Sequence, residues 1–362
     1  MIGDNEHSAV DVRGLTPAEI EEFCFRHLGQ RPGQGARVSA WLFRKRAGDF
    51  DQMEDLNRPL REQLKRQCRI TELTIEERAR SMDGTEKLLY RLADGNIVEG
   101  VLIPGPSRLT LCVSTQVGCA SGCGFCRTGG SGLVRNLAVS EMVNQVMAAA
   151  NGTVAPITNI VLMGTGEPLA NYEAVRSFVQ IMTDRNGMAF SNRKVTISTC
   201  GLAPAIERMA DDPDMDASLA VSLNATTDEV RSRLMPVNGT YPIGRLLQAL
   251  HYYCTSTANT VTIEYALFRG LNDTDADAGR LMELLSGLPC MINVLAFNPF
   301  PGATLERPDE KRIYEFRNIL LRHGFVAVVR NSRGSDINAA CGQLRAATAK
   351  TAPGPRRTGK ND

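Results

Sequence analysis

From residue 109 onwards, the apolar residues of the chain alternate between two periodicities. Runs rich in β-branched residues predict strands at 109–114, 157–163, 195–198, 219–223, 261–267, 292–297 and 326–329. Stretches with helical spacing lie between several of them, at 140–150, 172–184, 275–285 and 308–323. Such alternation indicates an α/β fold, in which crossover helices wrap a parallel sheet. About seven strands fall short of a full closed barrel, so we expect a partial (βα) barrel, with a doubly wound open sheet as the alternative.

The N-terminal part of the chain has a different pattern. Thr16 can cap a helix that runs from Pro17 toward His27, and helical spacing continues to residue 70. Between Arg37 and Arg69 there are nine Lys or Arg and five Asp or Glu, whereas the whole chain has 41 and 40. This local excess of positive charge fits either a polyanion-binding face or an ordinary solvated helix surface.

These patterns divide the chain into four predicted segments. Residues 1–80 form an N-terminal helical accessory domain, and 81–108 form a β linker or hairpin that turns at Asp94-Gly95. Residues 109–346 form the partial barrel, and 347–362 form a disordered basic tail. The 362 residues, 43% of them hydrophobic, are enough to bury a sizeable core.

The sequence also predicts the compartment. No apolar run approaches the roughly 20 residues that span a bilayer, and the first residues lack the basic-then-apolar order of a signal peptide. We therefore expect a cytoplasmic protein that is not attached to a membrane. Ten cysteines in a reducing compartment are better explained as metal ligands or catalytic thiols than as disulfides.

Three of these cysteines stand in a diagnostic spacing after the first predicted barrel strand. Cys119, Cys123 and Cys126 are separated by three and two residues, with glycines between them that let the backbone curve closely. A structural zinc site usually requires four ligands, and the four histidines of the chain are in no paired spacing. Three thiolates instead predict one [4Fe–4S] cluster with an open iron that can bind a substrate.

The spacing and several sequence blocks resemble the radical S-adenosylmethionine (SAM) enzymes, and within them the RNA methyltransferases of the RlmN and Cfr type. The resemblance covers roughly residues 15–346. It includes Leu-Cys-Val-Ser-Thr-Gln-Val-Gly-Cys at 111–119, Met-Gly-Thr-Gly-Glu-Pro-Leu at 163–169, Ser-Leu-Asn-Ala-Thr-Thr-Asp-Glu-Val-Arg at 222–231 and Ala-Ala-Cys-Gly-Gln-Leu at 339–344. Further blocks lie at 33–41, 132–137, 298–302 and 333–338.

The resemblance implies a mechanism that uses two SAM molecules per turnover. One would methylate Cys341, and the second would be cleaved at the cluster to a radical that removes a hydrogen from this methyl group. The resulting methylene radical would add to carbon 2 of adenosine. Glu99 would accept the proton from carbon 2, and Cys112 would resolve the adduct by forming a transient disulfide with Cys341.

The resemblance also implies the residues that contact SAM. They are Gly166, Glu167, Ser198, Ser222, Leu223, Asn224 and Asn298. Asn224 stands where some members of the family have His, so its contact would be made through an amide.

The implied substrates are adenosines in the peptidyl-transferase region of 23S rRNA and 3′ to the anticodon of tRNA. The implied partners also include an electron donor such as flavodoxin, and the implied state is a monomer. Three alternatives remain open on the sequence: Cfr-like methylation of carbon 8, a radical SAM enzyme with a non-RNA substrate, and a non-catalytic iron–sulfur or zinc RNA-binding protein.

Overall fold

The structure is a computed structural model that describes residues 9–344. The strands are β1 (Val10–Asp11), β2 (Cys68–Arg69), β3 (Thr74–Arg80), β4 (Glu86–Arg91), β5 (Ile97–Gly105), β6 (Arg108–Cys112), β7 (Gln116–Gly118), β8 (Leu133–Asn136), β9 (Asn159–Leu162), β10 (Val195–Thr199), β11 (Ser218–Ser222), β12 (Val261–Leu267), β13 (Cys290–Ala296) and β14 (Ala327–Arg330). The helices are α1 (Pro17–Arg26), α2 (Gln34–Ser39), α3 (Arg58–Gln67), α4 (Val139–Asn151), α5 (Tyr172–Thr183), α6 (Ala203–Asp211), α7 (Asp228–Leu234), α8 (Ile243–Thr257), α9 (Asp275–Leu284) and α10 (Glu310–Arg322). Among the described residues, no helix combines the length and apolar character required to cross a bilayer.

One sheet of ten strands organises the molecule. Its order is β14-β13-β12-β11-β10-β9-β6-β5-β4-β3, and β6 with β9–β14 run parallel to one another. Helices α4 to α10 lie in the crossovers between these seven parallel strands. Because β14 and β3 are opposite edges, the sheet is open. The seven strands predicted from the sequence are all present, and they are neighbours in chain order without the reversal of order found in a doubly wound sheet, which confirms the predicted partial (βα) barrel.

The hairpins β3–β4 and β4–β5 continue this sheet in antiparallel fashion. β5 pairs with β6, and Val101 lies opposite Cys112. Residues 74–80, predicted to be part of the helical domain, instead form edge strand β3, because β4 completes its hydrogen bonds. The predicted linker is thus built into the sheet. Of the predicted segments, residues 1–8 of the N-terminal segment, the last two residues of the barrel segment and the tail at 347–362 lie outside the described residues.

The N-terminal module consists of α1–α3 and the short pair β1–β2. Thr16 and Glu19 form a capping box at the start of α1, as the sequence predicts for a helix beginning at Pro17. Arg13 fixes the module to the barrel, because its buried guanidinium donates to the Asn144 side chain of α4 at 2.9 Å.

Candidate active site

A cavity of about 270 Å³ opens at the carboxyl ends of the parallel strands. Ten of the thirteen predicted site residues line it. They are Cys119, Cys123, Cys126, Gly166, Glu167, Ser198, Ser222, Asn224, Asn298 and Cys341. Since side chains from successive strand ends meet at one edge of a parallel sheet, residues far apart in sequence share this wall.

The cysteine loop is fixed by backbone hydrogen bonds on both sides. The Cys119 N–H donates to the Gly132 carbonyl at 2.9 Å, and the Gly124 N–H donates to the Leu234 carbonyl at the end of α7, also at 2.9 Å. Gly118 has φ of +79°, and a Cβ there would lie 1.9 Å from the Gly132 carbonyl oxygen. Only glycine fits this close approach of the two backbone segments.

The three thiols suit a cluster in their chemistry. Burial raises the pKa of Cys119 and of Cys123, and negative charge on a neighbouring thiol of the loop raises each further. A cationic iron core would instead lower these pKa values, because it binds the thiolate forms. In residues 9–344 no three His, Cys, Asp or Glu side chains converge on a single ion; in a cubane each thiolate binds a different iron, so its ligands need not converge on one point. The triad on one cavity wall therefore fits a [4Fe–4S] cluster.

Glu167 lies in the turn that follows β9 and is buried. Its Oε2 accepts the Cys200 N–H at 2.7 Å and its Oε1 accepts the Leu169 N–H at 3.0 Å. Burial raises the pKa of this carboxyl, although these hydrogen bonds act in the opposite direction. The carboxylate therefore shapes the turn and also lines the cavity.

The end of β11 positions three of the predicted SAM contacts. Ser222 and Asn224 line the cavity, whereas the Leu223 side chain is buried in the core and does not. Asn224 has φ of +56°, a conformation that Asn tolerates better than most residues. Its Oδ1 accepts the Ala266 N–H at 2.8 Å and its amide nitrogen donates to the Met235 sulfur at 3.4 Å. Its amide therefore joins β11 to β12 as well as bordering the cavity.

Cys341 is carried by a C-terminal segment, residues 331–344, that is bound on several sides. The Cys341 carbonyl accepts the Asn298 side-chain N–H at 3.1 Å. The carbonyl of the next residue, Gly342, accepts the Arg127 N–H of the cysteine loop at 2.8 Å. The thiol borders the cavity and is accessible from it. It nevertheless lies deep within the protein, and this desolvation raises its pKa.

Cys112 and Glu99 lie beside the cavity rather than on its wall. Cys112 is buried in a small apolar cluster with Val101 and Ala339, which belongs to the segment that carries Cys341. Burial raises the pKa of Cys112, and negative charge on Cys341 raises it further. Glu99 shares the sheet face of Val101 and Cys112 by strand alternation and register. Its carboxylate lies 3.7 Å from Lys87 Nζ.

Two family models match the chain. The model of the radical SAM superfamily matches residues 113–282, and that of the ribosomal RNA large subunit methyltransferase N-terminal domain matches residues 10–70. Among curated proteins, the dual-specificity RNA methyltransferase RlmN of Syntrophotalea carbinolica is 46% identical over 94% of this chain and 91% of its own length. The protein of the same name from Halorhodospira halophila is 42% identical over 95% of this chain and 96% of its own.

The chain belongs to the RlmN family. It is therefore a radical SAM methyltransferase that uses a [4Fe–4S] cluster and SAM. The crystal structure of a radical SAM methyltransferase from Sphaerobacter thermophilus is similar throughout, with 46% identity, a TM-score of 0.86, and coverage of 93% of this chain and 99% of that one. Both the fold predicted from the alternation of strands and helices and the family predicted from sequence blocks are thus confirmed.

Sequence reasoning missed several residues on the wall of this RlmN-family site. Glu264 of β12 is buried, accepts the Asn293 side-chain N–H at 2.8 Å, and lies 3.9 Å from Arg330 Nη1. Burial raises the pKa of its carboxyl. Cys200, after β10, lies 3.5 Å from the Ser121 hydroxyl. Their positions could have indicated them, because Cys200 follows a predicted strand and Glu264 lies within one. Neither residue belongs to a recognisable motif.

Proposed function

We propose that the chain methylates carbon 2 of adenosine in 23S rRNA and in tRNA through a methyl group carried by Cys341. The observation that supports this most is that Cys341 shares one cavity wall with the cysteine triad, although more than 200 residues separate them. The relatives are named dual-specificity RNA methyltransferases, which agrees with two RNA substrates.

The chemistry explains why a carbon radical is used. Carbon 2 of adenine lies between two ring nitrogens and is electron-poor, so it does not attack the electrophilic methyl group of SAM. Cys119, Cys123 and Cys126 would hold the cluster, which would supply the electron that cleaves the second SAM. Cys341 offers its methyl carbon for hydrogen abstraction and then for addition to carbon 2. Asn298 and the cysteine loop hold the Cys341 backbone, so the reacting carbon is kept close to the bound cosubstrate.

The adduct is released by two residues on the neighbouring sheet face. Glu99 takes the proton from carbon 2, with Lys87 stabilising the carboxylate before the transfer. The unpaired electron of the adduct would return to the oxidised cluster. The Cys112 sulfur then attacks the Cys341 sulfur, so that a disulfide forms while the bond between the Cys341 sulfur and the methylene carbon breaks; this carbon keeps the electron pair and takes up the proton of the Cys112 thiol to become the methyl group. Reduction of the disulfide by a thiol reductant restores both cysteines.

The remaining partners follow from the same proposal. The 23S rRNA target lies in the peptidyl-transferase region, and the tRNA target is the adenosine 3′ to the anticodon. The basic N-terminal module contacts RNA phosphates, with Arg44, Lys45 and Arg46 exposed on its surface. A low-potential donor such as flavodoxin supplies the electron. In this proposal the enzyme acts as a monomer in the cytoplasm, where its RNA substrates are found.

Identification of the product nucleoside tests the proposal. The anaerobically reconstituted enzyme is incubated with SAM, reductant and either 23S rRNA or tRNA, and the digested RNA is analysed by mass spectrometry against standards. With the parent protein, we expect 2-methyladenosine in both RNAs. With Cys341→Ala, we expect it in neither RNA. Production of 8-methyladenosine would favour Cfr-like chemistry instead, and a methylated product from Cys341→Ala would overturn the role of that cysteine.

A further inference from the structure

Arg231, on helix α7, is a completely buried cation behind the cavity wall. Its relative exposure is 0%, and it does not line the cavity itself. Its acceptors are the backbone carbonyls of Cys200, Ser222, Leu223 and Tyr241 and the side-chain oxygen of Asn238, at distances between 2.8 and 3.3 Å. A guanidinium has five N–H donors, so all of them are used on neutral acceptors and none is left for a carboxylate.

Burial without an ionic partner is costly for a charge, and a guanidinium does not escape the cost by losing its proton. Arg13, the other large buried cation, has Glu72 at 3.6 Å. Burial lowers the pKa of Arg231, and negative charge on Cys200, Cys123 and Asp228 acts in the opposite direction. The Cys200 carbonyl lies 2.8 Å from Arg231 Nη2 and belongs to a residue that lines the cavity, so the positive charge lies directly behind the wall of the active site.

The hydrogen bonds of Arg231 also reach the segments that form the site. Cys200 follows β10, and its N–H donates to Glu167 while its carbonyl accepts from Arg231. Arg231 also donates to the carbonyl of Ser222, the last residue of β11, and to that of Leu223, which follows it. The same helix ends at Leu234, whose carbonyl accepts the Gly124 N–H of the cysteine loop.

We propose that Arg231 is the buried countercation of the cluster and that its charge favours one-electron reduction of the cluster. This rests on the proposed function, which places the cluster on Cys119, Cys123 and Cys126. A cluster bound by three thiolates is anionic and gains a further negative charge when it is reduced. A fixed positive charge in a poorly solvated region stabilises the reduced form more than the oxidised form. Arg231 touches neither substrate nor cofactor in this role and acts through its field.

The test is the midpoint potential of the reconstituted cluster, measured by a dithionite titration with mediators and followed by electron paramagnetic resonance. Arg231→Gln removes the charge. Asn238→Asp keeps the hydrogen-bond acceptor 3.0 Å from Arg231 and adds an anion that neutralises it. In each variant we expect reduction to become about tenfold less favourable, a fall of about 59 mV for one electron.

The chain offers matched controls at its other buried arginine. Arg13→Gln and Asn144→Asp repeat the two changes, because the Asn144 oxygen on α4 accepts at 2.9 Å from Arg13 of the N-terminal module. We expect the cluster in both controls to keep the midpoint potential of the parent protein. Any destabilisation should appear only as a lower midpoint temperature of thermal unfolding.

The outcomes separate the proposals from each other. If the parent protein shows no [4Fe–4S] signal, the proposed function fails. If the parent signal is present and either Arg231→Gln or Asn238→Asp keeps the parent potential, the countercation role is wrong while the proposed function stands. An equal shift in the Arg13 controls would also overturn it. Should Arg231→Gln not fold, Asn238→Asp decides alone, since it keeps the acceptor for Arg231 and gives up only the amide donations to the Asp228 carbonyl and the Ser232 hydroxyl.

Discussion

At the scale of single residues, Gly118 gives the most direct prediction. Its positive φ and the 1.9 Å approach of a hypothetical Cβ to the Gly132 carbonyl leave no room for a side chain. We expect Gly118→Ala to displace the cysteine loop and to lower the free energy of unfolding by about 1–3 kcal/mol. Iron content after anaerobic reconstitution should fall well below that of the parent protein.

Gly130 is the matched control in the same loop. A Cβ there meets no atom within 4 Å, and its φ is ordinary. Gly130→Ala should therefore bind iron as the parent protein does. Full iron loading of Gly118→Ala would show that the loop does not depend on this backbone approach.

The sequence predicted which residues border the cavity better than it predicted what each side chain does. Glu167 and Asn224 were expected to contact SAM, and both border the cavity, but their polar atoms also hold backbone N–H groups of Cys200 and Ala266. Such partners come from other strands, and their spacing along the chain carries no signal for them. Arg231 stands at the end of a sequence block typical of the family, yet its role could not be predicted for the same reason.

At the scale of elements, the C-terminal segment that carries Cys341 depends on the turn between β3 and β4. Asp83 in this turn accepts the Gly334 N–H at 3.0 Å. We expect Asp83→Ala to increase hydrogen exchange across residues 331–344 and to slow methylation of Cys341, while iron content stays unchanged. Asp94, in the turn between β4 and β5, contacts Asn96 and Arg135 instead, so Asp94→Ala should leave exchange in this segment unaltered.

The same hydrogen bond predicts a pH dependence. Desolvation raises the pKa of Asp83, but the hydrogen bonds from Thr85, Gly334 and Ser81 outweigh it and lower the pKa to about 2. An unfolded Asp has a pKa of about 3.9. The stabilisation is therefore fully present above pH 4 to 5 and is lost as the pH falls through the folded value. Protection of the Gly334 amide should persist at pH 4, corrected for intrinsic exchange; loss of protection at pH 5 would contradict this.

Element prediction succeeded where buried strands alternate with long amphipathic helices. β12 was predicted with its observed ends, and α5, α9 and α10 were within two residues of theirs. It failed for edge strand β3, whose residues are mostly exposed and charged, so that only pairing with β4 defines it. Helices α6, α7 and α8 were missed. α7 has only seven residues, whereas α8 has fifteen, so length does not explain why α8 was missed.

At the scale of the whole molecule, the basic surface of the N-terminal module should contribute affinity for RNA. Arg44, Lys45 and Arg46 are exposed on it. Replacing all three with Ala should weaken RNA binding and reduce the slope of log K against log salt by about 0.7–0.9 for each phosphate that the variant no longer neutralises. Filter binding at several salt concentrations measures both.

The control for this surface is an equal reduction of charge elsewhere on the barrel. Arg193, Lys194 and Lys311 are exposed on other elements, and their triple Ala variant should keep the salt slope of the parent. If both triple variants bind alike, the basic module is an ordinary solvated surface and RNA is held by other residues.

The central claim is that Cys341 carries the methyl carbon to RNA and that Cys112 releases it. The most direct measurement is a denaturing gel of Cys112→Ala after reaction with SAM, reductant and RNA, followed by mass spectrometry of the nuclease-treated protein. Without the resolving thiol, we expect a nuclease-sensitive upshift and a nucleotide attached at Cys341, whereas Cys341→Ala should hold the cluster and form no adduct. Turnover of Cys112→Ala at the parental rate, or attachment at another residue, would contradict the account.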